Sequence, residues 1–187
     1  MAELDDIRAD FLSKRPDAWD KLPDLDLYMD QVVSLLGRIQ LTPEGSQKLT
    51  AAMVNNYVKE GLLPRPKGKR YDRDHLALLQ IFVTLKEVVT VKDAGSLLKQ
   101  YVGDEPVSDG YNALNAMLGA ELDEVAAEMP QTEDSDELIE AAMRFALAGY
   151  ANKMACLHLS DLLSRRRQAE TAEGERRKAE KTSDKKK

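Results

Sequence analysis

Apolar positions recur at helical spacing along most of the chain. Met29, Val32, Val33 and Leu36 stand at i, i+3, i+4 and i+7, which predicts a helix capped by Asp26 and ending near Gly37. Pro43 and Gly45 then mark a loop. Thr50 is a predicted N-cap for a second helix, with Met53, Val54, Tyr57 and Val58 as its inward stripe. Ala52, Asn55, Asn56 and Lys59 fall on another face of that helix, and Gly61 suits its C-terminal end because glycine accepts the left-handed conformation. A third helix, capped by Asp72, is expected to reach about Val88. Its polar positions Arg73, Gln80, Thr84 and Glu87 make one narrow stripe, while residues such as Leu76, Leu79, Phe82 and Val83 cover the rest. A helix apolar over most of its circumference is surrounded by neighbours, so this one is predicted to be the centre of its domain. A fourth helix follows, with Thr90 as cap and Val91, Ala94, Leu97 and Leu98 turned inward.

The segment between the second and third helices, "PRPKGKRY", breaks the helical period. Pro64 and Pro66 suit sheet-edge positions and Gly68 a tight tip, so the pattern predicts a short β-hairpin. Before the first amphipathic stretch, residues 1–24 form an acidic arm with a short helix around Leu4 to Lys14, interrupted by Pro16 and Pro23. Beyond Gly103 a helix is expected from about Ser108, then a break at Pro130 and "QTEDSD", then a long helix from about Asp136 to Arg167. Ile139, Met143, Ala146, Tyr150, Met154 and Leu157 give that helix an apolar seam, open to use as intramolecular core or as a dimer interface. The tail "RRRQAETAEGERRKAEKTSDKKK" has no apolar period and is expected to lose order. The resulting division is 1–24 (arm), 25–102 (main domain), 104–168 (C-terminal helices) and 169–187 (charged tail).

Charge sharpens this picture. The 187-residue chain has a formal charge of −6, yet its signs are segregated. Lys59, Arg65, Lys67, Lys69, Arg70 and Arg73 crowd around the expected hairpin against Glu60 and Asp72. The stretch from Asp104 to Glu140 holds twelve acidic residues and no Lys or Arg, and the tail from Arg165 holds ten basic against five acidic. Segregation of this kind creates local fields that can capture a charged partner despite the opposite overall charge.

The residues supply no catalytic constellation, and neither cofactor nor enzyme activity is expected. His75 and His158 lie far apart, and Cys156 and His158 lack a second ligand pair. Asp134, Asp136 and Glu137 lack the glycine and terminal glutamate of a calcium loop, so no metal site is expected. The single Cys156, either a small buried hydrophobe or a reactive thiol, fits a reducing compartment. An acidic N-terminus without an apolar stretch, and no span long enough for a bilayer, point to the cytoplasm and to no membrane partner.

What remains is a helix, a basic hairpin and a buried helix in succession. Asparagine can pair bidentately with adenine, and lysine can reach guanine or phosphate, so Asn55, Asn56 and Lys59 suit a major groove. A basic hairpin beside them can grip the sugar-phosphate rail.

The stretch "MVNNYVKEGLLPRPKGKRYDRDHLALLQIFVTLKEVVTVKDAGSLL" resembles the winged helix-turn-helix of the MerR type. "YVKEGLLP" resembles the end of that family's recognition helix and its first wing strand, and "RYDRDHLALLQIFVTLKEV" the wing's closing tyrosine and long apolar helix. The resemblance implies a mostly α fold with a short β-hairpin wing plus C-terminal helices. It also implies a helix that enters the major groove with Asn55, Asn56, Tyr57 and Lys59, and a wing that contacts the backbone with Lys67, Lys69, Arg70 and Tyr71; Arg65, in the same basic cluster, is expected to bind DNA with them. The family has Arg followed by aromatic residues where this chain has Asn55 and Asn56. The whole chain is also similar to a bacterial group, built as this wing domain plus C-terminal helices, that is described as a domain of unknown function. Two functions follow as expectations. One is a sequence-specific transcriptional regulator that binds double-stranded DNA as a homodimer joined through its C-terminal helices. The other is a non-catalytic protein-interaction adaptor on the same fold.

Overall fold

The computed structural model describes residues 2–37 and 48–184, with side chains as far as Gly174. The expected turn residues Pro43 and Gly45 lie outside the described residues. Seven α-helices are present among the described residues: α1 (Ala2–Ser13), α2 (Met29–Leu36), α3 (Ala51–Lys59), α4 (Arg73–Leu85), α5 (Val91–Val102), α6 (Val107–Glu128) and α7 (Ser135–Asp184). A 3-10 turn, Trp19–Lys21, joins α1 to the segment before α2.

Three of these helices start where capping chemistry places them. The hydroxyl oxygen of Thr50 accepts from Met53 N at 3.3 Å, the carboxylate of Asp72 from His75 N at 3.1 Å, and the hydroxyl oxygen of Thr90 from Asp93 N at 3.1 Å. Asp26 does not cap α2. That helix begins three residues later, after Tyr28, whose N–H donates to the Gln31 side chain at 2.9 Å.

α4 is the hub. Leu76, Leu79, Ile81, Phe82 and Val83 are all buried, and α5 and α6 pack against it. Gln80, expected on the polar stripe, is buried as well. It meets Tyr111 of α6, whose hydroxyl lies 2.8 Å from Oε1 of Gln80 and 2.8 Å from the Asp17 carbonyl.

The N-terminal residues are part of this unit, not an arm beside it. α1 packs on α6, where Arg15 pairs with Asp123 at 2.6 Å and Arg8 donates to the Pro130 carbonyl at 2.9 Å. Asn115 donates to the carbonyls of Pro16 and Asp17, and Trp19 N donates to Asn112 at 3.0 Å. Residues 1–144 accordingly form one compact unit, and the expected boundaries near residues 24 and 103 do not divide it.

The expected β-hairpin is not formed. No strand occurs among the described residues, and pairing is confined to two isolated antiparallel bridges, Lys67 with Arg70 and Leu27 with Tyr71. The reason is chemical: Pro64 and Pro66 have no N–H to give a ladder, and Gly68, at φ 67°, turns the chain back within four residues. The segment is a basic turn whose far end pairs with the residues before α2.

The second compact unit begins at Phe145 and is the stretch of α7 from there to Asp184. The helix continues to Asp184, past the end expected at Arg167, because the Ala, Glu, Lys and Arg of this segment are strong helix formers. Leu147, Tyr150, Leu159, Leu162 and Leu163 are exposed on it, and Cys156 is half-buried. No described helix is long and apolar enough to cross a membrane.

Candidate nucleic-acid interface

α3 is stopped by a Schellman arrangement that sets the direction of the basic turn. Gly61, at φ 72°, donates to the Val58 carbonyl at 3.1 Å, and Leu62 N donates to the Tyr57 carbonyl at 3.0 Å. Leu63 then enters the core and Arg65 emerges at the surface.

The turn is held at both ends. At the near end, the half-buried ring of His75 lies between two acceptors. Its Nδ1 is 2.5 Å from Oδ1 of Asp72, and its Nε2 is 3.1 Å from the Arg65 carbonyl. Donation to both needs a proton on each nitrogen. Burial works against the Asp72 charge, but hydrogen bonds from the His75 ring and backbone, with the nearby Lys67 ammonium, hold this carboxyl below its ordinary range. At the far end, Leu27 and Tyr71 exchange backbone hydrogen bonds. Arg70 lies against Tyr28, with its guanidinium carbon 5.2 Å from the ring centroid and Nη2 3.2 Å from the hydroxyl oxygen.

Seven of the nine residues expected to meet DNA are at the surface: Asn55, Asn56 and Lys59 on α3, and Arg65, Lys67, Lys69 and Arg70 on the turn. The two tyrosines are not. Tyr57 is 6% exposed and its ring tilts against Phe82 with centroids 4.7 Å apart; Tyr71 is 5% exposed with the His75 ring on its edge. Burial pushes both phenols up from their ordinary value, with the Lys86 charge opposing at Tyr57. Both position the interface from inside and leave almost no surface for a ligand. The α3 stripe of Met53, Val54, Tyr57 and Val58 already pointed Tyr57 inward.

A cleft of about 440 Å³ joins the two elements. Asn55 forms its α3 wall, and Pro66, Gly68 and Lys69 form its turn wall. Tyr28, Met29 and Asp30, at the start of α2, and Tyr71 complete it. Asn56, Lys59, Arg65, Lys67 and Arg70 lie outside the cleft lining. The residues missed in the sequence were Tyr28, Asp30 and His75. For His75 a signal existed, since Asp72 and His75 stand at i, i+3 at a helix start and so share a face. For Tyr28 and Asp30 none did, because their neighbours in the cleft come from α3 and the basic turn, distant in the sequence.

A family model described as "Domain of unknown function (DUF1836)" matches residues 17–115. No curated protein and no solved structure matches the chain. The matched span begins and ends on residues in mutual contact, since Asn115 donates to the Asp17 carbonyl at 3.1 Å.

Proposed function

The chain belongs to the family described as a domain of unknown function, DUF1836, and from that premise we propose that it is a sequence-specific DNA-binding transcriptional regulator. In this reading the matched residues form a helix-turn-helix of the MerR type whose wing is reduced to the basic turn. α3 enters the major groove, where Asn55 and Asn56 read base edges and Lys59 reaches guanine or phosphate. Arg65, Lys67, Lys69 and Arg70 hold the backbone. The observation that carries the reading is the shared cleft: Asn55 and Lys69 face one space, so a single duplex can touch both elements. The seam of α7, whose Ile139, Met143 and Tyr150 are exposed, supports a homodimer joined through that helix. Two copies of α3 would then meet successive major grooves about 34–36 Å apart.

The test is binding of the full chain to a randomised duplex pool across a salt series. A steep log–log salt dependence is expected, and Lys67→Ala should lower its slope by about one. Binding indifferent to salt, or no duplex retarded at low salt, overturns the reading. The twelve-carboxylate stretch from Asp104 to Glu140 favours the second reading, a protein-interaction adaptor that binds a basic partner. Recovery of a protein partner together with failure to bind any duplex would establish it.

A further inference from the structure

A second concavity lies in the same compact unit, lined by the segment that leaves α3, by α4, and by the α5–α6 junction. It encloses about 350 Å³, within the range of small-molecule sites. Its walls are apolar: Leu62, Leu78, Leu98, Val102 and Val107. Three charged residues, Lys99, Asp104 and Glu105, also contribute to its lining. All three are exposed and none of their side chains makes an ion pair among the described residues. The rim also carries the C-terminal end of α5, where Gly103 at φ 57° turns the chain away. The carbonyl end of a helix bears partial negative charge and favours cations.

We propose that this concavity is a binding site for a small organic cation with an apolar body. The apolar walls select the body. Two carboxylates and a helix C-terminus outweigh one ammonium, so the rim selects a positive head over a negative one. An organic acid of the same shape meets Asp104 and Glu105 as like charges and has only Lys99 in its favour. Asp104, Glu105 and Lys99 fix the sign of the ligand, and the apolar lining, Leu78 included, limits its size. The site stands independently of DNA binding, since none of its lining residues belongs to the Asn55–Lys69 cleft.

The probes are 4-phenylbutylamine and 4-phenylbutyrate, which share an apolar body and differ in the sign of the head. Each is titrated calorimetrically into the full chain at neutral pH, with methyl chemical shifts of Leu78, Val102 and Val107 as the locator. The amine is expected to bind and to move those methyls, with the acid at least about fivefold weaker, the scale of one or two exposed ion pairs. Asp104→Asn with Glu105→Gln should cut amine affinity about fivefold while leaving helicity unchanged. Leu78→Phe, which narrows the space, should remove binding of both probes, with a circular dichroism melt confirming the fold. The proposal is overturned if the amine does not bind, if it moves other methyls, if the acid binds as tightly, or if the neutralised rim binds the amine unchanged.

Discussion

Leu27 and Tyr71 exchange both of their backbone hydrogen bonds, each N to O at 2.9 Å. This single antiparallel bridge fastens the far end of the basic turn to the residues that lead into α2. It brings Tyr28 and Asp30 into the cleft with Lys69, and it seats the Tyr71 ring in the core. Tyr71→Ala should therefore destabilise the chain by about 3–5 kcal/mol, the range for emptying an aromatic site. Tyr71→Phe should stay within about 0.5 kcal/mol, because the hydroxyl has no hydrogen-bond partner among the described residues. Urea unfolding separates the two. Equal losses would mean that the hydroxyl, not the ring, holds the turn.

The ordered start of each inner helix was legible because caps are local. Thr50, Asp72 and Thr90 each reach a backbone N–H three residues on, and the sequence interval alone specifies that geometry. The central place of α4 was legible from its apolar circumference. Contacts made at long range were not. Nothing in the acidic composition of residues 1–24 shows that Pro16 and Asp17 offer carbonyls to Asn115. Gln80 read as surface because polar residues in a narrow stripe usually face water, whereas here it is buried with its Oε1 2.8 Å from the hydroxyl of a tyrosine of α6. The basic turn read as a hairpin because prolines suit a sheet edge and a glycine suits the tip, whereas Pro64 and Pro66 also withhold the donors a ladder needs. At the candidate site the exposed cations and asparagines were read correctly as polar face, and the buried tyrosines were misplaced when the family pattern was carried over whole.

Gly95 lies under Leu62, where the chain leaving α3 crosses α5. A methyl group added there would stand 2.9 Å from Cβ and Cδ2 of Leu62 and 3.3 Å from its Cα. Alanine would ordinarily stabilise a helix interior by about 1 kcal/mol relative to glycine. Overpacking against a neighbour's Cα and Cβ costs about 1–3 kcal/mol, so Gly95→Ala should come out destabilising. Leu62→Ala should relieve part of the loss, leaving the double variant more stable than the sum of the single losses. Additive losses would show that the two residues do not clash.

Asp72 joins the cap of α4 to His75 and thereby to the Arg65 carbonyl. Its carboxyl is held below the ordinary 3.8, so its folded form is the more strongly ionised one. A depressed carboxylate contributes stability above its unfolded value and loses it as the pH falls through the folded value. Denaturation midpoints should therefore decline as the pH drops past 3.8, and Asp72→Asn, which keeps a capping oxygen, should flatten that part of the profile. An unchanged acid limb in the variant would place the acid sensitivity elsewhere.

Asp30 is the discordant group in the Asn55–Lys69 cleft. A carboxylate there opposes a phosphate while favouring its own helix, since it sits in the first turn of α2. Asp30→Asn should raise duplex affinity at low salt and cost about 0.3–1 kcal/mol of stability. The affinity gain should shrink as salt is added, because screening weakens exposed charges. A loss of affinity, with sequence preference relaxed, would instead identify Asp30 as a base reader that accepts a hydrogen bond.

The Tyr111 hydroxyl has one proton and two neighbours at 2.8 Å, the Asp17 carbonyl and the Gln80 amide. The Gln80 Nε2 is buried without a partner as placed. Turning that amide over lets Nε2 donate to the hydroxyl oxygen while the hydroxyl donates to Asp17, which gives a partner to the orphaned donor. Tyr111→Phe would leave the buried amide of Gln80 without this partner and should cost about 1–3 kcal/mol. Adding Gln80→Leu removes the stranded group, so the double variant should recover much of the loss, and the Asp17 carbonyl keeps Asn115 as donor. Burial, aided by the Asp17 charge, also pushes the Tyr111 phenol well above its ordinary 10.0. The folded chain then holds this proton after the unfolded chain has released it, so stability falls as the pH rises past 10.0. Tyr111→Phe should make the alkaline limb shallower, with Tyr57 and Tyr71 supplying what remains. If the double variant is as unstable as the two losses added, the amide and the hydroxyl are not partners, and the tie between Asp17, α4 and α6 rests on packing alone.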